Sequence, residues 1–249
     1  MRKEAKTPFI GRTLQLIAGG LLSCSSSIQA SEITVDLWVL STGVSDSSTN
    51  QNDSEGTDTV QNPYLVTHQT SLPVGAATTS HDLSWDSSFG YFLIEATHSL
   101  RDVPTHSAYA ASSGSIIFHS SSDLLIDLSA FYTYQGLGPE FTAGYGIQVV
   151  DRSVTPQVCY FCDGAVGGPG MLQPPNGSFS TSTSAILPAD HSFRITYLFR
   201  LSDAIGTGTS AVGTADGGLS FTLTAIPEPS VCAHLLPFAA ALIYRRKRG

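Results

Sequence analysis

Residues 191–202, HSFRITYLFRLS, put Phe193, Ile195, Tyr197, Phe199 and Leu201 on one side of an extended chain, with Arg194, Thr196 and Arg200 on the other. Side chains of a β-strand alternate with period two, so such a run offers one face to a core and the other to water. The pattern recurs in DLLIDLSAFYTY (123–134), where Leu124, Ile126, Leu128, Ala130, Tyr132 and Tyr134 share a face. It recurs again in GGLSFTLTAI (217–226) through Leu219, Phe221 and Leu223. EITVDLWVL, PYLVTH, YFLIEATH, SGSIIFHS and YGIQVV read as further strands, about eight or nine in all. Nothing from Ser31 to Ile226 sustains a helical period over three turns, and Gly- and Pro-rich turn signals separate the runs. The expected fold is all-β: an antiparallel, jelly-roll-like β-sandwich over residues 31–225, long enough for one respectable core.

Two stretches lack any apolar period and read as long loops: residues 45–63, polar and acidic, and residues 163–184, rich in Gly, Pro and Ser. In the first, Asp53, Glu55 and Asp58 are spaced closely enough to converge on a hard cation such as calcium. Their spacing matches no EF-hand loop, and a solvated acidic loop is the expected state.

Charge is distributed unevenly. Residues 31–226 hold four arginines, no lysine and eighteen acidic residues, a net −14. A nucleic-acid module needs a basic face to neutralise phosphates, so that class is excluded, and the same argument disfavours binding of this region to anionic lipid. The other eight basic residues lie at the two ends. The front has basic residues, an apolar stretch from Leu14 to Leu22, then small residues ending Ile28-Gln29-Ala30. That is the layout of a secretory signal peptide over residues 1–30, with cleavage expected after Ala30. It calls for Sec export machinery and a signal peptidase as partners. Leu21-Leu22-Ser23-Cys24 is a competing lipoprotein-type site that would leave Cys24 lipidated.

The chain closes with Pro227-Glu228-Pro229, Ser230, an apolar run from Val231 to Tyr244, and Arg245, Arg246, Lys247 and Arg248. Fourteen residues of helix span about 21 Å against a hydrocarbon core of about 30 Å, so the membrane segment is short. The basic cluster would hold its end on the cytoplasmic side. Residues 226–249 resemble the PEP-CTERM sorting signal of Gram-negative bacteria. The resemblance implies that a membrane-embedded exosortase recognises the Pro227-Glu228-Pro229 motif and processes the chain, which meets the inner membrane transiently through its tail. It also implies association with exopolysaccharide production, and a destination at the cell envelope, cell surface or extracellular matrix.

Between the ends, Cys159 and Cys162 form the one remaining cysteine pair. In an exported chain an even pair reads first as a disulfide. A redox motif would need a following helix, which DGAVGGPG cannot supply, and a zinc site would need two more ligands among widely scattered histidines. Gly206 to Ala211 spells G-x-G-x-x-A without a following helix and reads as a glycine-rich hairpin loop. No catalytic residue is singled out and no cofactor is called for. The leading reading is a non-catalytic envelope or matrix protein. One alternative is a secreted carbohydrate-binding module using exposed aromatics such as Trp38, Trp85 or Tyr134. The other is an envelope hydrolase, which would need paired carboxylates (Glu95 and Glu140 are examples) or histidines converging in space.

Overall fold

A computed structural model describes residues 33–46, 51–101, 108–137, 141–164, 176–203 and 212–226. These belong to one compact unit, Ser31–Ile226. The expected signal peptide and Cys24, the sorting motif Pro227 to Pro229, the apolar run and the Arg245 to Arg248 cluster all lie outside the described residues, as does Glu140.

Twelve strands form this unit: β1 (Ile33–Asp46), β2 (Gln51–Thr57), β3 (Tyr64–Leu72), β4 (Gly75–Trp85), β5 (Phe89–Leu100), β6 (Ala108–Ser120), β7 (Leu124–Leu137), β8 (Phe141–Asp151), β9 (Val158–Gly164), β10 (Asn176–Leu187), β11 (Ser192–Asp203) and β12 (Val212–Ala225). They make two six-stranded sheets, ordered β2-β1-β6-β11-β8-β9 and β10-β7-β12-β5-β4-β3. Every pairing between neighbours is antiparallel. The two sheets pack face to face, so the protein is an antiparallel β-sandwich.

The alternation works as the sequence implies. Phe193, Ile195, Tyr197, Phe199 and Leu201 of β11 are all buried, as are Leu124 to Tyr134 in phase on β7 and Leu219, Phe221 and Leu223 on β12. Aromatic rings dominate the interior, and several meet as cross-strand pairs. Phe92 lies directly opposite Phe221 with ring centres 4.4 Å apart, and Phe118 lies opposite Phe193 at 5.8 Å. Such pairs stabilise by about 0.5–1.5 kcal/mol beyond the area they bury. Gly114 faces Tyr197 on one side and Leu40 on the other, and a Cβ there would lie 2.3 Å from Tyr197 Cε1. The missing side chain is the space the Tyr197 ring occupies.

Three expectations are corrected. Residues 45–63 are not one loop: β1 runs to Asp46, and Gln51–Thr57 pairs with it as edge strand β2. Within 163–184, Asn176 onward is edge strand β10, paired with β7 along its whole length. Residues 206–211, read as a hairpin loop, lie outside the described residues, and the strands on either side of them, β11 and β12, belong to different sheets and do not pair with each other. In the first two cases backbone pairing to a neighbour does what apolar alternation does elsewhere, so the strand leaves no hydrophobic signature.

Candidate functional site

The histidines that look scattered in the sequence converge in the core. His68, His81 and His98 sit on β3, β4 and β5, three consecutive antiparallel strands, each in the inward phase. Register brings them together: His68 lies opposite Thr79, His81 is two residues further along β4, and His98 lies opposite Ala77. All three are 0–3% exposed. The Tyr64 hydroxyl stands 3.2 Å from His68 Nε2, and the His68 and His81 rings are 5.4 Å apart. His81 Nε2 meets the Tyr197 hydroxyl at 3.0 Å. His98 Nε2 meets Ser112 Oγ at 2.9 Å, and Ser112 hydrogen-bonds Thr79, which accepts from Thr42 Oγ1 at 2.6 Å.

Tyr197, Ser112 and Thr42 belong to the first sheet and the histidines to the second, so the network stitches the sheets together through polar atoms. Burial pushes His98 down to about 3, and burial together with neighbouring His68 pushes His81 down to about 4. Both imidazoles are therefore neutral at pH 7. Burial likewise raises Tyr197 and Tyr64 above the ordinary phenol range. Ser112 and His98 have the spacing of a nucleophile and its base. However, both are 0% exposed, and His98 Nδ1 has no partner to orient the ring. Chemically the arrangement is a sealed hydrogen-bond network, with each bond stabilising by about 1 kcal/mol net.

The acidic residues of β2 face the open edge of the second sheet. Asp53 Oδ2 accepts from the Ser71 amide at 2.8 Å, and Glu55 Oε2 accepts from the Gln69 amide at 2.7 Å. Asp53 and Glu55 are two residues apart, so they project on the same side of β2, and Ser71 and Gln69 lie on edge strand β3. Asp58 is exposed beyond the end of β2. Among the described residues, no group of three or more His, Cys, Asp or Glu is arranged to hold a metal ion.

Cys159 and Cys162 are joined as a disulfide within edge strand β9, with their Cα atoms 6.2 Å apart. Three residues of regular strand would span about 10 Å. The contraction coincides with a bulge: Val149 pairs with Phe161 and Val150 with Cys159, leaving Tyr160 unmatched. The extra residue puts both sulfurs on one side and turns Tyr160 against Phe193.

The aromatics proposed for sugar stacking are elsewhere. Trp38 is 0% exposed, Tyr134 is 3% exposed, and half-buried Trp85 packs on Trp38 and Phe92. They are core residues, so the aromatic platform that reading needed is absent from these positions. A shallow depression on the outer face of the second sheet is lined by Tyr91, Asp127, Ser129, Ser182, Ser184, Ser220 and Thr222, among others. Its side chains bond one another: Ser184 donates to Asp127, and Ser129 and Ser220 pair at 2.7 Å.

No protein-family model and no curated protein matches the chain. Among solved structures it resembles "Structure of infectious bursal disease virus Gx strain" at 8% identity and a TM-score of 0.21, over 79% of this chain and 63% of that one. The corresponding Gt strain structure matches at 9% identity and 0.17, over 88% and 71%. The chain thus spans less than two thirds of the first of these, and likenesses this slight carry no argument about fold or function.

Proposed function

We propose that this is an exported, non-catalytic protein of the cell envelope or extracellular matrix, recognised and processed at Pro227-Glu228-Pro229 by an exosortase. The observation that carries the reading is the order at the C-terminus: Pro-Glu-Pro, an apolar run, then Arg245 to Arg248. Two features support it. The last strand among the described residues, β12, ends at Ala225, just ahead of the motif in the chain. The histidine network is closed to solvent, which favours a structural over a hydrolytic role for the interior. In this reading Sec machinery and signal peptidase remove residues 1–30, the tail holds the chain at the inner membrane until processing, and the sandwich is delivered to an exopolysaccharide-bearing surface.

The test is mass spectrometry of the native protein from envelope and medium, mapping both termini. The reading requires a start at Ser31 and an end between Pro227 and Ser230. A chain retaining Arg245 to Arg248 would be a plain membrane-anchored protein, and a lipidated Cys24 start would make it a lipoprotein. Either result overturns the sorting reading.

A further inference from the structure

The registers of the two sheets fix which residues share each broad outer face. On the first sheet, Leu37, Ile117, Arg194 and Val150 lie side by side across β1, β6, β11 and β8, followed by rows beginning Val39, Ser41 and Gly43. Arg200 stands in the last of these rows, beside Ala111 and Gly144. No carboxylate stands in these rows. Asp36 lies at their corner, held by His119 Nδ1 at 2.9 Å. The face therefore carries two of the four arginines of residues 31–226, a region of net −14. Leu37 and Val39 are 42% and 48% exposed on it.

The outer face of the second sheet has the opposite character. Between its Tyr91 and Ser99 rows, Asp127, Asp82, Glu95 and Asp216 stand exposed on β7, β4, β5 and β12, among Ser and Thr, with no basic residue in the rows.

Two further observations point to a partner for the arginine face. Among the described residues, the buried side-chain polar atoms without a partner fall into two places: the inner side of β3 to β5, where they are Nδ1 of His68, His81 and His98 and Thr70 Oγ1, and the outer side of β11, where they are Arg194 Nε, Thr196 Oγ1 and Arg200 Nε. Neither arginine is in an ion pair among the described residues. Among the described residues the side-chain contact recorded for Arg200 is the Tyr109 ring, 5.3 Å from its guanidinium carbon. The spacing also matches. Arg194 and Arg200 are six residues apart on one strand, about 20 Å. Asp216 lies opposite Thr133, six residues along β7 from Asp127, so these two carboxylates are also about 20 Å apart along the strand direction.

We propose that the arginine face of one copy docks on the carboxylate face of a second copy, Arg194 and Arg200 meeting Asp127 and Asp216. Four strands by four rows is about 500 Å² per face from strand spacing and rise, below the roughly 800 Å² per partner of a standard interface and in the range of weak, concentration-dependent contacts. The contact is head-to-tail: each docked copy leaves its own carboxylate face free, so the assembly extends rather than closes. The inference rests on the sandwich alone and does not depend on the export reading.

The test is sedimentation velocity on the full chain over a dilution series. It compares wild type with Arg194→Glu/Arg200→Glu, with Asp127→Lys/Asp216→Lys, and with an equimolar mixture of the two variants. Circular dichroism checks that each is folded, and Arg194→Gln/Arg200→Gln serves if the glutamate variant is not. Wild type should assemble with concentration. Each variant alone should assemble at least about tenfold more weakly, because like charges then face each other. The mixture should recover assembly, since every contact in it can again pair opposite charges. Variants that associate as wild type does overturn the proposal, as does a mixture that stays dissociated. A wild-type chain that remains monomeric also overturns it and leaves the arginine face to an anionic ligand.

Discussion

Acidification is the perturbation that the histidine network should feel most. His81 and His98 have an ordinary value of 6.5 and are held down to about 4 and about 3 in the folded chain. Unfolding exposes both, so below pH 6.5 the unfolded state binds protons that the folded state refuses. The stability tied to their neutrality is complete above pH 6.5, drains away as the pH falls below it, and is fully lost once the pH passes below the folded values. From pH 7 to pH 5 the loss is about 2 kcal/mol per imidazole and about 4 kcal/mol for the two together. That is a large part of the roughly 5–15 kcal/mol that holds a domain folded. The ionisable side chains facing the pair are Tyr64, His68 and Tyr197; the phenols of Tyr64 and Tyr197 stay neutral across this range.

The assay is guanidinium unfolding at closely spaced pH values, followed by near-ultraviolet circular dichroism from the buried aromatics. The steepest loss should lie between pH 6 and pH 4, approaching about 1.4 kcal/mol per pH unit per imidazole. His81→Gln/His98→Gln keeps an amide near each Nε2 position and removes the titration, so its stability should be lower at pH 7 yet much flatter towards pH 5. Equal stability of wild type at pH 7 and pH 5, or an undiminished slope in the double variant, would refute the reasoning.

Three other outcomes are expected. Gly114→Ala drives a methyl into the Tyr197 ring and loosens its bond to His81; a loss of about 1–3 kcal/mol should appear in the thermal midpoint. Asp53→Asn/Glu55→Gln weakens the charge-assisted bonds to β3, so hydrogen exchange of the Gln69 and Ser71 amides should quicken while core strands keep their protection. Cys159→Ser/Cys162→Ser opens a loop of only four residues, so denaturant unfolding should show a loss of no more than about 2 kcal/mol.

What could be read in advance follows from where each strand sits. β7, β11 and β12 are interior strands of their sheets, so one face must be apolar and the alternation is plain. β2 and β10 are edge strands whose side chains are almost all exposed or half-buried, and Ser, Thr, Asn and Asp suffice there. Their pairing is a backbone property that composition does not betray. The histidines were hidden differently. His68, His81 and His98 look unrelated along the chain because register, not spacing, assembles them. A signal was nonetheless present, since each continues the inward phase of its own run: Tyr64, Val66, His68; Thr79, His81, Leu83; Ile94, Ala96, His98. Residues in phase with a core belong to it even when polar. Trp38 and Tyr134 obey the same rule, being in phase with Leu40 and Tyr132 rather than with the water-facing set.

The hydrogen bonds from Asp53 and Glu55 to β3 have a consequence beyond closing that side of the sandwich. A free strand edge invites any extended chain to add to it, and amide hydrogens are half of the invitation. At β3 the Gln69 and Ser71 amides are answered from within the molecule by carboxylates that also repel acidic newcomers. At β9 the bulge and the disulfide spoil the straight template that an added strand requires. Runaway strand addition is thus opposed at one edge of each sheet.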